Sequence, residues 1–264
     1  MSSNSTSNST SNRNKSDQDW QVVFLDKKYI VSGNCFIKRT LRSHEWRKTP
    51  GNEGIHVPPR CLPQRWRTDA ANITFLARNT SIPVPRFQGA FEDGGAFYHA
   101  TELVDGVQMA TLEEHEKRIV LDQLVRHLQE LHSLKSHVPG VPGLDLLCPP
   151  LRVYDSGWNE HACFRLKEGW APVQGDEYVF CHNDLGQQNV LVDKESLTIT
   201  AIIDWEYGGF WPPWFEGQFW QRYGPGAAIG DEDCDVERLR NWLEENCDAV
   251  QMPQLGTPGN SKMY

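Results

Sequence analysis

The chain has 264 residues, of which 39% are hydrophobic and 11% aromatic, so it can bury the core of one large domain or of two small lobes around a cleft. Its net charge of −9 argues against a nucleic-acid-binding protein, and it has neither a signal-peptide-like start nor an apolar run of membrane-spanning length. The seven cysteines are scattered and form no C-x-x-C pair, which predicts reduced thiols in a cytoplasmic protein rather than disulfides or a zinc site.

The first 106 residues are predicted to form a polar tail and a small lobe. Residues 1–18 are almost entirely Ser, Asn, Thr and charged residues, so they are predicted to be a disordered tail. The N-lobe is predicted over 19–106 as a mostly antiparallel sheet with one helix. Its strands are expected in β-favouring runs separated by turn residues, at 22–25, 29–31, 35–39, 87–91 and 96–101, with the helix at about 65–79 and an irregular loop over 43–62.

The C-lobe is predicted over 107–250, and residues 251–264 are expected to be a loose tail. Thr111–Glu114 has the pattern of a capping box. The helix after it has an apolar face with helical spacing, formed by Val120, Leu124, Leu128 and Leu131. Short strands are expected at 178–181, 190–193 and 197–203, and a last helix from about 236. The predicted fold class is α+β, with a small antiparallel-sheet N-lobe and a larger, mainly helical C-lobe.

The most informative segment contains the pattern H-x-D-x-x-x-x-N at His182, Asp184 and Asn189. Asp204 follows twenty residues after Asp184, at the end of an apolar strand. Kinases supply a catalytic Asp, a metal-binding Asn and a metal-binding Asp in this order. We therefore predict that Asp184 is the catalytic base and that Asn189 and Asp204 hold Mg²⁺ through oxygen ligands. His182 is grouped with the catalytic residues, but we expect it to orient the loop rather than to carry out chemistry.

A strand–turn–strand pattern precedes Lys38 and is typical of the small-lobe hairpin of kinases. Lys38 is predicted to contact the α- and β-phosphates of ATP, and a solvated strand lysine is the alternative. Gly33 is the only glycine before Lys38, so the loop that covers the phosphates in kinases is expected to be short here. No cation lies between Asp184 and Asn189, so transition-state charge would need Lys38, the metal ions or another residue to neutralise it.

These residues resemble the motifs of the aminoglycoside phosphotransferase and choline kinase-like family, which has a protein-kinase-like fold, and in particular those of its fungal members. The likeness extends over about residues 22–225 and also includes Ile82–Arg86 and Trp205–Pro213. It implies an ATP- and Mg²⁺-dependent phosphotransferase acting on the hydroxyl of a small molecule.

The resemblance implies further site residues. Asp69 matches the helical acid that pairs with the lysine, where most relatives have Glu. Because Asp is one methylene shorter, we expect its ion pair with Lys38 to be loose or absent. A hinge is expected at Glu102–Gly106, where backbone groups of Glu102 and Val104 would hold the adenine edge.

The sequence does not identify the acceptor. Glu206 and the acids at 231–233 are compatible with a cationic small molecule, and a solvated acidic loop is the alternative interpretation of 231–233. The short phosphate loop and Asp69 also leave open a kinase-fold protein repurposed as a binding module or as a biosynthetic-pathway enzyme with other chemistry. A protein kinase is not expected, because no A-P-E segment or long activation loop follows Asp204.

Overall fold

The computed structural model describes residues 19–48, 51, 54–159, 161–172 and 177–255. The predicted tail at 1–18 lies outside the described residues, as does the predicted C-terminal tail from 256 onward. Within these ranges no helix is both long enough and apolar enough to cross a membrane.

The N-terminal part is a five-stranded antiparallel sheet with the strand order β1-β2-β3-β5-β4. Its strands are β1 (Trp20–Val23), β2 (Lys27–Ser32), β3 (Cys35–Thr40), β4 (Phe87–Asp93) and β5 (Ala96–Glu102). The first strand begins two residues earlier than predicted and ends at Val23, because the N–H of Phe24 donates to the carbonyl of Lys27 at 2.8 Å and closes a turn there.

Helix α1 (Leu62–Asn79) joins β3 to β4 and begins three residues before the predicted helix. Pro63 lies in its first turn, where the missing N–H costs no hydrogen bond and the fixed φ favours helix formation. Trp66 packs against Phe97 of β5, with ring centroids 6.4 Å apart. The first half of the helix is thereby docked on the sheet.

A short connection, Leu103–Gly106, leads from the sheet to the rest of the chain. Gly106 has φ = 148°, and a Cβ there would lie 2.8 Å from Thr200 Oγ1. Glycine is therefore required at this close approach. The hydroxyl of Thr200 also donates to the carbonyl of Asp105 at 2.9 Å, which anchors the connection to the segment that leads to Asp204.

The C-terminal part combines helices with small antiparallel sheets. Its helices are α2 (Glu114–Ser133), α3 (Leu151–Asp155) and α4 (Val236–Asn246). Its strands are β6 (Val107–Gln108), β7 (Lys135–Ser136), β8 (Ala162–Leu166), β9 (Tyr178–Cys181), β10 (Val190–Asp193), β11 (Thr198–Ile202), β12 (Gly209–Trp211) and β13 (Cys247–Gln251). They pair in the orders β11-β10-β6, β12-β9-β7 and β13-β8. The predicted α+β class is confirmed.

Two local predictions differ from the structure. The capping residue of α2 is Glu113 rather than Thr111, because Met109–Thr111 form a 3₁₀ turn and the Glu116 carboxylate accepts the N–H of Glu113 at 2.8 Å. Strand β13 pairs with β8 and continues to Gln251, so ordered structure reaches one residue into the predicted C-terminal tail.

The largest core cluster lies between α1, α2 and the strands that flank residues 182–189, the predicted catalytic loop. Leu124 and Leu131 of α2 pack in this cluster with Leu76 of α1, Phe180 of β9 and Trp205, all at most 2% exposed. Burial of one such side chain contributes about 1.5–3 kcal/mol. Phe180 lies just before His182 and Trp205 directly after Asp204. Burial of both aromatic side chains in this core therefore fixes the positions of the two ends of the segment 182–204.

Candidate active site

His182 opens the catalytic loop and is completely buried. Its Nε2 donates to the carbonyl of Ile203 at 2.9 Å, and its Nδ1 accepts the backbone N–H of Asp184 at 3.3 Å. Burial lowers the pKa of His182 to about 4, so the ring is neutral at pH 7. Both ring nitrogens are bonded inside the protein, which is compatible with the predicted loop-orienting role of His182, and that role stays a prediction.

Asp184 is buried, and its two carboxylate oxygens have different surroundings. The side-chain N–H of Asn189 donates to Oδ2 at 3.3 Å, whereas Oδ1 is buried and has no hydrogen-bond partner in the described part of the chain. Burial, together with the negative charges of Asp204 and Glu206, raises the pKa of Asp184 to about 7. A buried oxygen without a donor is unusual in a native structure and marks a place where a ligand's proton can be accepted.

Backbone hydrogen bonding connects Asn189 to Ile203, the residue before Asp204. The backbone N–H of Ile203 donates to the carbonyl of Asn189 at 2.9 Å, and the Asn189 side chain donates to the carbonyl of Asp184 at 2.8 Å. Both side-chain hydrogen bonds of Asn189 use Nδ2, which leaves its amide oxygen available. The carboxylate of Asp204 and the amide oxygen of Asn189 are donor types that fit Mg²⁺.

Lys38 joins the sheet to this acidic site. Its Nζ lies 3.0 Å from Asp69 Oδ2, 2.6 Å from Asp204 Oδ1 and 3.9 Å from Glu206 Oε2. Burial opposes the charged form of Lys38, but the carboxylates of Asp204, Asp69 and Glu206 outweigh it and raise its pKa well above the ordinary value. Lys38 therefore remains a cation in a buried site.

The expected loose or absent ion pair between Lys38 and Asp69 is wrong. Asp69 is buried on α1, and its other oxygen accepts the backbone N–H of Trp205 at 3.1 Å. This bond draws α1 towards the segment after Asp204, so the shorter side chain of Asp still reaches Lys38.

Glu206 was expected to be compatible with a cationic acceptor, but its carboxylate is engaged inside the protein. It is buried and forms an ion pair with Arg65 of α1, whose guanidinium lies 4.6 Å from the centre of the Tyr207 ring. Burial alone would raise the pKa of Glu206, but Arg65 and Lys38 hold it below its usual range. Glu206 thus acts as a structural acid between α1 and the sheet.

The acids at 231–233 have two kinds of surroundings. All three are exposed, but the carboxylate of Glu232 pairs with the guanidinium of Arg222, whereas no ion pair of Asp231 or Asp233 is found in the described part of the chain.

An open cleft with a cavity volume of about 190 Å³ lies between the sheet and the C-terminal part. Its lining is largely apolar and includes Phe36, Ile73, Leu191 and Ile203, with Lys38 and Asp204 at its polar side.

The predicted hinge residues line the same cleft. The N–H of Leu103 donates to the carbonyl of Asn34 at 2.7 Å, while the N–H of Val104 has no hydrogen-bond partner among the residues described. The Glu102 carboxylate accepts the N–H of Arg86 at 2.9 Å. Its side chain is therefore engaged at the outer edge of the connection.

Several residues that sequence reasoning missed hold the catalytic loop. The Glu216 carboxylate accepts the backbone N–H groups of His182 and Asn183, the latter at 3.1 Å. Arg152 is buried, donates to the carbonyl of Asn183 at 3.2 Å and forms a two-bond ion pair with Asp235. Asn183 has φ = 68°, a left-handed conformation that Asn tolerates. This residue type was the one local sequence signal for the turn at this position.

Gly226 covers the base and was also missed. A Cβ at this position would lie only 2.4 Å from Asp184 Oδ1. The Gly-Pro-Gly run at 224–226 marks a turn in the sequence, but not which side chain the turn would meet.

Lys27 is a second cation on the Lys38 side of the sheet. Tyr29 is directly opposite Lys38 in the β2–β3 ladder, and Lys27 precedes it by two residues on the same face. The Lys27 ammonium lies 5.6 Å from the centre of the Tyr29 ring. Burial disfavours the charged form of Lys27, but Tyr29 and Glu206 outweigh it and raise its pKa. Strand alternation could have identified this residue.

The sheet, the connection and the buried lysine facing two acids define a fold of the protein-kinase-like class. The sequence profile of the phosphotransferase enzyme family matches residues 56–217, more than half of the chain, and the chain belongs to this family.

Curated relatives include an aminoglycoside 3'-phosphotransferase of Streptomyces ribosidificus, 27% identical over 172 residues, which are 60% of this chain and 61% of the relative. A second, of Streptomyces fradiae, is 27% identical over 156 residues, 52% of this chain and 56% of the relative. The chain spans about three fifths of the length of these relatives.

Similar solved structures include an aminoglycoside-3'-phosphotransferase of type VIII, with a TM-score of 0.47, 18% identity and coverage of 85% of this chain and 93% of that one. Another is an aminoglycoside phosphotransferase in a ternary complex with AMP-PNP and hygromycin B, with a TM-score of 0.44, 14% identity and coverage of 73% and 67%.

Proposed function

We propose that the chain is an ATP- and Mg²⁺-dependent phosphotransferase that phosphorylates a hydroxyl group of a small molecule. The observation that carries this proposal is Asp184 Oδ1, a buried oxygen without a donor on a carboxyl whose pKa is about 7. A general base is most effective when its pKa lies near the working pH. Membership in the phosphotransferase family supports the same reaction class.

In the proposed reaction, Asp184 accepts the proton of the acceptor hydroxyl as the hydroxyl oxygen forms a bond to the γ-phosphorus of ATP. The bond from the γ-phosphorus to its bridging oxygen breaks, and ADP leaves with the electron pair. His182 holds the backbone N–H of Asp184 and so fixes the direction of the carboxylate. Phosphoryl transfer depends mainly on such positioning and on charge neutralisation.

Asn189 and Asp204 would hold Mg²⁺, which when bound neutralises charge on the phosphates. Lys38 would contact the α- and β-phosphates, and Asp69 would keep its ammonium in position. Lys27 would add a second cation where the hairpin offers no glycine-rich loop, because residues 24–26 of that turn are Phe, Leu and Asp. The backbone of Glu102 and Val104 would bind the adenine edge across the cleft from these charges.

The acceptor must reach a base that is covered in this structure. Gly226 occupies the space in front of Asp184 Oδ1. We infer that the turn carrying Gly226 shifts when the acceptor hydroxyl binds. The matched Streptomyces relatives are named for aminoglycosides, and the exposed Asp231 and Asp233 favour a cationic acceptor of this kind.

The test is acceptor-dependent ADP release measured over a panel of aminoglycosides, choline and neutral sugars. We expect turnover with at least one hydroxyl compound and a loss of about 10²–10⁴-fold in kcat for Asp184→Ala. Asp193→Ala, at the exposed end of β10, is the matched control and should retain activity. Full activity in Asp184→Ala would exclude the proposed mechanism.

The alternative, a kinase fold repurposed for binding or for other chemistry, is favoured by the glycine-free turn alone. It predicts that a ligand binds in the cleft but that no compound of the panel causes release of ADP from ATP.

A further inference from the structure

A second cluster of potential metal ligands lies behind the catalytic loop. His132 is near the end of α2, Cys181 is the last residue of β9, and Glu216 follows the 3₁₀ turn Pro213–Phe215. One ligand atom from each of the three side chains lies within 4.8 Å of the other two. The three residues are far apart in the sequence, which is why the cysteine spacing gave no indication of a zinc site.

We propose that His132, Cys181 and Glu216 form a binding site for a zinc-type transition-metal ion. Thiolate and imidazole ligands select Zn²⁺ and its neighbours over Mg²⁺, and the carboxylate completes a donor set common in zinc sites. With thiolate and carboxylate bound, the charge of a divalent ion is neutralised. This site does not depend on the proposed phosphotransferase activity.

The few partners of the three side chains support this assignment. His132 Nε2 is buried and has no hydrogen-bond partner among the described residues. Cys181 is fully buried, and its thiol makes only a long contact, 3.6 Å, to the carbonyl of Val179. Glu216 forms no ion pair within the described ranges, and its carboxylate bonds only to backbone N–H groups. A divalent cation would give the His132 Nε2, the Cys181 sulfur and the Glu216 carboxylate a common partner.

The geometry allows binding after a small contraction. Tetrahedral Zn²⁺ with bond lengths of about 2.0–2.3 Å places its ligand atoms about 3.3–3.8 Å apart, so the present spacing of at most 4.8 Å has to close by at most about 1.5 Å. His132 and Glu216 are partly exposed and also line a pocket between α2 and the segment after Pro213. The pocket offers an entry path and a position for a water as fourth ligand.

Metal binding here would act on the catalytic loop through Glu216. The same carboxylate accepts the backbone N–H groups of His182 and Asn183. A carboxylate oxygen has a second lone pair, so the ion can bind without breaking these bonds. A metal ion bound at this site would restrict the motion of the catalytic loop through Glu216 and raise the unfolding temperature of the protein.

The experiment is titration of the purified protein with Co²⁺, which reports a bound thiolate by a near-ultraviolet charge-transfer band. All measurements use a Cys234→Ser background, because Cys234 is an exposed free thiol. We expect a saturable one-to-one band that Zn²⁺ displaces and millimolar Mg²⁺ does not. The band should disappear in Cys181→Ser, and affinity should fall by more than about 10-fold in His132→Asn.

The control is His115→Asn, an exposed histidine on the same helix, which should bind Co²⁺ as the parent does. Circular dichroism establishes that each variant is folded. If Cys181→Ser fails to fold, the partly exposed His132→Asn decides the matter. Absence of the band in the parent, or equal affinity in His132→Asn and the parent, would overturn the proposal.

Discussion

At the scale of single residues, Asp184 combines a proposed catalytic role with a cost to stability. Its pKa is about 7 in the folded protein because of burial and the nearby acids, against 3.8 for a free side chain. Between these values the folded state binds the proton more tightly than the unfolded state. The stability from this group is fully present below about pH 4 and is lost as the pH rises to about 7.

We therefore predict that Asp184→Asn abolishes activity but stabilises the protein. Asparagine has the shape of the neutral acid, and three pKa units correspond to a gain in unfolding free energy of about 1–4 kcal/mol above pH 7. Urea denaturation at pH 4 and pH 7.5 measures this gain, which should be small at the lower pH.

Asp193→Asn is the matched control. This exposed acid accepts hydrogen bonds from Ser196, which lower its pKa, so its neutralisation should give no stabilisation at pH 7.5. Equal or lower stability of Asp184→Asn relative to the parent would contradict the assigned environment.

The sequence was sufficient to locate the residues that a local spacing defines. His182, Asp184, Asn189 and Asp204 lie within one strand–loop–hairpin unit, so their order in the chain predicted their proximity. Glu216 and Gly226 could not be predicted this way, because their contacts with the catalytic loop depend on packing of a distant segment. The roles of the predicted site residues stay predictions.

At the scale of elements, α1 is held to the C-terminal part by buried polar contacts. Arg65 pairs with Glu206, and Asp69 accepts the N–H of Trp205. Breaking a buried ion pair by removal of one partner leaves an uncompensated charge. The position of α1, and with it the Lys38–Asp69 pair, therefore depends on Arg65.

We predict that Arg65→Met lowers the unfolding free energy by about 3–5 kcal/mol, measured by denaturant titration. Arg67 lies on the same helix and forms an exposed ion pair with Glu92. Arg67→Met removes that pair and should lower the unfolding free energy by at most about 1 kcal/mol. The double variant Arg65→Met/Glu206→Gln should recover part of the loss. Similar losses for Arg65→Met and Arg67→Met would contradict the buried-pair account.

Elements with an apolar pattern of their own could be predicted, and those formed by pairing could not. The strands before and after the catalytic loop are continuous apolar runs and were expected. Strand β13, Cys-Asp-Ala-Val-Gln, has no such pattern and is a strand because it pairs with β8. The pairing strand β8 was not predicted either, because it lies in a Pro- and Gly-rich region without a clear strand pattern.

At the scale of the whole molecule, the proposed site exists only where the sheet meets the C-terminal part. Lys38 comes from β3, whereas Asp184, Asn189 and Asp204 come from the catalytic loop and the strand end after it. The contact of Lys38 with Asp204, at 2.6 Å, spans the two parts beside the apolar cleft. A nucleotide bound in this cleft would contact both parts at once, and the predicted division near residue 106 stays a prediction.

Calorimetric titration with ATP in the presence and absence of Mg²⁺ tests the central claim most directly. We predict one-site, Mg²⁺-dependent binding to the parent that weakens by more than about 100-fold, or about 2.7 kcal/mol, in Asp204→Ala. Asp248→Ala, at an exposed acid of β13 that does not line the cleft, should bind as the parent does. No binding to the parent, or equal Mg²⁺-dependent binding to the parent and Asp204→Ala, would contradict a phosphotransferase site at this place.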